Sequence, residues 1–260
     1  MEILILAAGE GKRIEKISKN LPKSLLTLNS DGQSSLSLLL RQFTRISISK
    51  IFISLGFSFD LFIKQLSFID SFRNFSIPVI PIDARHNYIK GPLFSFLAGK
   101  SHLKNSSLFG LFPADTIFTT EFFNAIQSLT LDPNILHIFY YNPSVCPKSG
   151  FLLKISSVSN DTYTQKSIEE FISLSSVDQS QLVSNSLSYM LPVLFFPGEI
   201  FEFAEKYITL GKTTVIQIVM EWVKQKKSYS LHHLNLSEPP FFDIDTPDDF
   251  NKIREKFAKE

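Results

Sequence analysis

The chain opens on Met1, Ile3, Leu4, Ile5 and Leu6, interrupted only by Glu2 and closed by Ala7-Ala8-Gly9. A short apolar run ended by glycine predicts a fully buried strand of a parallel sheet. Leu36, Leu39, Leu40, Phe43 and Ile46 then recur at helical spacing over 34–46, ahead of a second short apolar strand at Lys50–Leu55. An amphipathic stretch over Phe59–Phe72 precedes a strand over Ile77–Ile82, and Asn87–Ser95 holds the turn that starts the next helix. Ser107–Phe118 predicts a buried strand carrying one carboxylate, Asp115, followed by a helix over Thr120–Leu129. Strand and helix alternating in this way argue for an α/β fold with a right-handed, mostly parallel sheet and helices on both faces.

From Asn134 the alternation breaks. A strand over Ile135–Tyr141 leads to a hairpin-like stretch at Lys148–Ile155 and a polar region from Ser156 to Ser186, in which Phe171, Ile172 and Leu174 are scattered. These predict strands and loops outside the central sheet. Leu187–Phe196 is a strand again, with helices near Gly198–Ile208 and Thr213–Lys224.

The 26 basic and 25 acidic residues leave a net charge of +1. No global field draws in nucleic acid or an anionic membrane, so any anion must be bound locally. The longest apolar stretch, around Leu191–Phe196, falls far short of the ~20 residues that span a bilayer. The lone Cys146 cannot form an internal disulfide and fits a reducing compartment, which places the expected protein in the cytoplasm.

The candidate chemistry begins just after the first strand. Gly9-Glu10-Gly11-Lys12-Arg13 is followed ten residues later by Pro22-Lys23-Ser24-Leu25-Leu26. Two glycines let backbone N–H groups approach a polyanion closely. Arg13 adds a planar fork and Lys23 a point charge for the same anion. Such a loop suits a triphosphate. A dinucleotide-binding fingerprint does not fit, because Ile14 stands where its third glycine belongs and Leu55-Gly56-Phe57 offers no acidic residue after the second strand.

LAAGEGKR followed by LPKSLL resembles the signature of GT-A-like, Rossmann-type nucleotidyltransferases. These comprise sugar-1-phosphate nucleotidyltransferases, phosphocholine and inositol-phosphate cytidylyltransferases, and molybdenum-cofactor guanylyltransferases. The resemblance implies a Rossmann-like sheet with a smaller β-rich extension on the acceptor side. It implies one domain over 1–260, divided into an NTP-binding half (1–141), an acceptor-side half (142–240) and a metal-ligand strand end with a final helix (241–260). It further implies a triphosphate held by Leu6, Ala7, Ala8, Gly9, Glu10, Gly11, Lys12, Arg13 and Lys23, with Arg13 and Lys23 as the catalytic cations. Gly91, in Lys90-Gly91-Pro92-Leu93, corresponds to a stretch that lies against the nucleobase; read alone, Gly-Pro is equally a turn and helix start.

Asp115 lies beyond the carboxyl end of its strand, where open α/β sheets bind ligands, although a turn or cap residue would look the same. By resemblance it holds a magnesium ion (Mg2+) and contacts the NTP. The second acidic stretch, Phe242-Asp243-Ile244-Asp245-Thr246-Pro247-Asp248-Asp249, resembles the DxDTPxD ending of the inositol-phosphate cytidylyltransferases. It implies Asp245 as second metal ligand, with Asp243 as its neighbour and a further candidate, and it tilts the base toward CTP. Thr246 and Pro247 start a helix, so Asp248 and Asp249 belong to its positive end.

The family's frequent Glu-Lys-Pro is replaced by Glu169-Glu170-Phe171, which leaves the phosphorylated acceptor open: a sugar 1-phosphate, a phospho-alcohol such as phosphocholine or inositol phosphate, or a pterin phosphate. A guanylyltransferase of the molybdenum-cofactor type and a catalytically silent nucleotide binder remain alternatives. Gly211-Lys212-Thr213-Thr214 looks like the end of a P-loop, but the required upstream glycine is Lys206. His232 and His233, adjacent in a predicted strand, point to opposite faces and read as structural.

Overall fold

The structure, a computed structural model, describes residues 1–66, 76–143, 149–159, 164–176, 187–236 and 240–257. Cys146 and the far end of the predicted helix over Phe59–Phe72 lie outside them.

The first half alternates as β1 (Glu2–Leu6), α1 (Ser35–Phe43), β2 (Lys50–Leu55), α2 (Phe59–Leu66), β3 (Val79–Asp83), α3 (Pro92–Leu97) and β4 (Phe109–Pro113). β1 sits between β2 and β4, β2 also pairs with β3, and every one of these pairings is parallel. Successive side chains of a strand go to opposite faces, and here both faces are covered. Ile3 and Ile5 join Leu36, Leu39, Leu40 and Phe43 of α1 in one core, while Leu4 joins Leu93 and Phe96 of α3 in the other. Burial on both faces is the reason β1 shows no polar alternation. Each large apolar side chain fully buried here contributes roughly 1.5–3 kcal/mol.

The predicted strand over Ser107–Phe118 breaks in two. Pro113 has no N–H to continue the ladder, and β4 ends there in a turn at Ala114-Asp115. The chain then leaves the main sheet as β5 (Thr116–Phe118) and enters α4 (Thr120–Gln127). The second half supplies β6 (Leu136–Tyr141), an antiparallel ribbon of β7 (Phe151–Ser159) and β8 (Thr164–Ser173), then β9 (Leu187–Phe196). β9 runs antiparallel between β4 and β6 and carries β7, so the extension grows directly from the central sheet. After α5 (Ile200–Ile208) and α6 (Val215–Lys224), β10 (Tyr229–His233) closes one edge of the nine-stranded sheet in parallel with β6.

The last elements are β11 (Phe241–Asp243) and α7 (Pro247–Phe257). β11 pairs antiparallel with β5, with Asp243 opposite Thr116, in a separate two-stranded sheet. A third core of Ile14, Leu26, Leu28, Ile117, Ile244, Phe250 and Ile253 lies under this corner. It clamps together the glycine loop, the Pro-Lys-Ser turn and the segment running from β11 to α7.

Candidate active site

The glycine loop leaves β1 and turns at Gly11, whose φ of 64° lies in the left-handed region open to glycine without strain. The Ile14 N–H donates to the Gly11 carbonyl at 2.9 Å, and the fully buried Ile14 side chain pins the turn to the third core. Nothing stands within 4 Å of the position a Cβ would take on Gly9, so the loop is open on that side. The Pro-Lys-Ser turn is tied to the end of β4 by Ser35. Its buried hydroxyl lies 2.9 Å from the Ala114 carbonyl and 3.3 Å from the Ser24 carbonyl. The Ile244 N–H in turn donates to the Asp115 carbonyl at 3.1 Å.

These links converge four charged side chains. Lys23 Nζ makes its tightest ion pair with Asp115 and lies 3.3 Å from Asp245 Oδ1. Arg13 Nη2 donates to the same Asp245 oxygen at 3.0 Å. Acids 130 positions apart in the sequence thus share one ammonium. The cluster borders a cleft of about 260 Å³ lined by Leu6, Ala7, Gly9, Gly11, Lys12 and Ser24 among others. Lys23, Asp115 and Asp245 are only 19–26% exposed, whereas Arg13 is 68% exposed and has room to swing. Burial works to lower the Lys23 ammonium, but Asp115 and Asp245 outweigh it and hold the group above its ordinary value.

Asp243 has a different environment from its neighbour. Its Oδ1 accepts from the Thr116 hydroxyl at 2.6 Å. Burial pushes its carboxyl up to about 7, the Thr116 bond opposes the shift, and the charges of Asp115 and Asp245 add to it. Of the two acids flanking Ile244, only Asp245 shares the Lys23 ammonium with Asp115.

Among the described residues, no group of three or more His, Cys, Asp or Glu could hold a metal by itself. A pair of carboxylates within reach of one cation nevertheless fits magnesium. That ion prefers oxygen ligands, keeps several waters, and is held by one or two carboxylates together with substrate phosphates.

Other expected site residues fall elsewhere. Glu10 turns away from the four-charge cluster, accepting from the Tyr88 hydroxyl at 3.2 Å and pairing with Lys12 at 2.9 Å. Gly91, with φ of 124°, packs against Thr213: a Cβ there would meet the Thr213 carbonyl oxygen at 2.7 Å. Its close backbone approach therefore has a structural partner, and it does not line the cleft. Lys212 pairs with Glu221 at 3.2 Å on α6. Asp249 caps α7 through the Thr246 hydroxyl and N–H, as its place in the first turn requires.

His232 accompanies a residue that nothing in its own stretch of sequence singles out. His137 Nε2 lies 2.8 Å from the Asp132 carbonyl, an acceptor only, so that nitrogen carries the proton. His137 Nδ1 then accepts from His232 Nε2 at 2.8 Å. The pair bridges β6 and β10, far along the sheet order from β1. Ser35, Thr116 and Tyr88 also escape sequence reasoning, because each acts across a long-range contact. The one local signal is a serine at the start of an amphipathic helix, Ser35 of α1.

The fold is shared with solved structures of nucleotidyltransferases. The apo UDP-glucose pyrophosphorylase structure is matched with a TM-score of 0.76 and 14% identity, covering 99% of this chain and 98% of that one. The inositol-1-phosphate CTP transferase of T. maritima gives 0.68 and 14%, covering 98% and 96%. The CTP:phosphocholine cytidylyltransferase LicC of Streptococcus pneumoniae gives 0.64 and 18%, covering 99% of both chains. No curated protein matches the sequence. Residues 3–134, just over half of the chain and including β1, the glycine loop, Lys23 and Asp115, match the MobA-like NTP transferase domain, and the chain belongs to that family of nucleotidyltransferases.

Proposed function

We propose that the protein transfers a nucleoside monophosphate from an NTP to a small phosphorylated acceptor, with CTP the favoured donor. An acceptor phosphate oxygen attacks the α-phosphorus in line, the new P–O bond forms, and the bond to the bridging oxygen breaks as pyrophosphate leaves. A phosphate monoester is already an anionic nucleophile, so no covalent enzyme intermediate is needed. The protein's task is to hold two polyanions together and to offset their charge.

Arg13 and Lys23 are the cations that would swing from the acids onto the triphosphate. Gly9 and Gly11 keep the loop backbone accessible to it, and Asp115 and Asp245 are the oxygen donors for magnesium. When bound, that ion would neutralise charge that develops on the phosphates in the transition state. The observation carrying the reading is the sharing of one ammonium by Asp115 and Asp245 beside an open glycine loop.

The preference for CTP rests on the DIDTPDDF ending and on two matched structures named for CTP transfer. Among the described residues no helix is long and apolar enough to cross a membrane. The balanced charge and lone Cys146 support a cytoplasmic enzyme acting on small molecules rather than on nucleic acid.

The test is exchange of labelled pyrophosphate into each NTP, with magnesium and a panel of sugar 1-phosphates, phosphocholine, inositol phosphate and pterin phosphates. Exchange with one pairing, abolished in Asp115→Ala while the variant stays folded, is the expected result. Nucleotide binding without exchange for any acceptor would leave the silent binder as the reading.

A further inference from the structure

The two cations expected to hold the triphosphate are turned onto the two acids expected to hold the metal. Arg13 and Lys23 carry two positive charges, Asp115 and Asp245 two negative ones, and the contacts of 3.0 and 3.3 Å to Asp245, with the tighter Lys23–Asp115 pair, close the set on itself. We propose that Lys23 makes the site selective for the metal-complexed nucleotide, by occupying the place between Asp115 and Asp245 that a divalent ion would take. The proposal rests on the nucleotidyltransferase reading given above.

Each ligand alone meets a penalty that the pair does not. A divalent ion entering between the carboxylates must displace the Lys23 ammonium. That side chain is only 19% exposed, and its Pro-Lys-Ser turn is anchored through Ser35 and the third core. The displaced charge stays in the cleft and repels the arriving cation. A metal-free NTP that draws Lys23 and Arg13 to itself strips both acids of their counter-ions and leaves them facing a polyanion. Only when both arrive does every group keep an opposite partner, the cations on phosphate and the carboxylates on metal. By linkage, each ligand then raises the affinity for the other by the same factor. A factor of roughly 10–100 lies in the usual range for such coupling.

The experiment uses the full chain and reads binding by titration calorimetry, with Mn2+ alone, each NTP in EDTA, and each NTP with saturating Mg2+. The wild type should bind Mn2+ alone weakly, and Mg2+ should tighten the preferred NTP about 10–100-fold. Lys23→Met should bind Mn2+ alone at least about tenfold more tightly than wild type, with the coupling between metal and nucleotide correspondingly reduced. Lys23→Arg, which keeps the charge, should leave Mn2+ binding weak. If Lys23→Met does not fold, Lys23→Gln takes its place, being polar but uncharged.

Unchanged Mn2+ affinity in the neutral variants, or wild-type binding of free NTP as tight as of the Mg2+ complex, overturns the proposal while leaving the nucleotidyltransferase reading intact. Absence of binding by all four NTPs with Mg2+ overturns both, and the Mn2+ arm shows separately whether Lys23 competes with a cation.

Discussion

With Asp243 replaced by asparagine, the protein should gain stability relative to the parent as pH rises toward 7, and the gain should level off above that value. The carboxyl is pushed up to about 7 from an ordinary 3.8, chiefly by burial. Between those values the folded state holds a proton that the unfolded chain has released. A raised folded-state value for an acid means stability is greatest below 3.8 and is lost as pH rises to about 7. Each pH unit inside that window costs about 1.4 kcal/mol. The amide introduced by Asp243→Asn never ionises, and its oxygen can still accept from the Thr116 hydroxyl.

The stability gap between Asp243→Asn and the parent should therefore widen by roughly 2–3 kcal/mol from pH 5 to pH 8, whatever its value at pH 5. For a domain of this size that corresponds to a difference of roughly 5–10 °C in Tm. The assay is thermal or urea unfolding of both proteins across pH 5–8 in EDTA, so that no divalent ion offsets the carboxylate. Comparing variant with parent cancels every other titrating group. A gap that stays constant with pH, or narrows toward pH 8, would refute the assignment of a buried, uncompensated carboxyl.

Other consequences are smaller or simpler to read. Arg13→Ala or Lys23→Ala should lower kcat/KM by roughly 10²–10³, the loss expected for one preorganised charge donor; near-normal pyrophosphate release would exclude their role. His232 is depressed to about 4 from 6.5 by burial first and by His137 second, so its stabilisation is complete above 6.5 and is lost as pH falls toward 4. The parent should lose on the order of 1 kcal/mol between pH 7 and pH 5 relative to His232→Phe, read from urea midpoints of the two proteins. Gly91→Ala forces a Cβ to 2.7 Å from the Thr213 carbonyl oxygen at a φ of 124° and should cost about 1–3 kcal/mol. A Tm equal to the parent's would show that the turn relaxes freely.

What can be read from the sequence follows the range of the interactions. β1, β2 and the helix over 35–43 lie where their apolar spacing puts them, because the signal is local and both faces of the sheet are covered. Arg13, Lys23, Asp115 and Asp245 are expected at one place, and the structure brings them together. Two carboxylates flanking a single residue look alike along the chain, but the pairing of β11 with β5 sets Asp243 opposite Thr116 and leaves Asp245, beyond the strand, to meet Lys23. Ser35, Tyr88 and His137 each bond to a distant segment, so no window along the chain could mark them. Gly91 is visible as a glycine with a purpose, but its tight neighbour, Thr213, is brought there by tertiary packing alone.

The small ribbon of β5 and β11 bears on how the protein is born. During synthesis every strand of the large sheet leaves the ribosome before Phe241 does, so the sheet can collapse while Asp115 still lacks its partner across the cleft. Only when residues 241–257 dock, sealing Ile244, Phe250 and Ile253 onto Ile14 and Leu26, does the fourth charge reach the other three. Until that segment emerges, a nascent chain that has left the ribosome only as far as β10 holds Arg13, Lys23 and Asp115 without the acid that completes their charge balance.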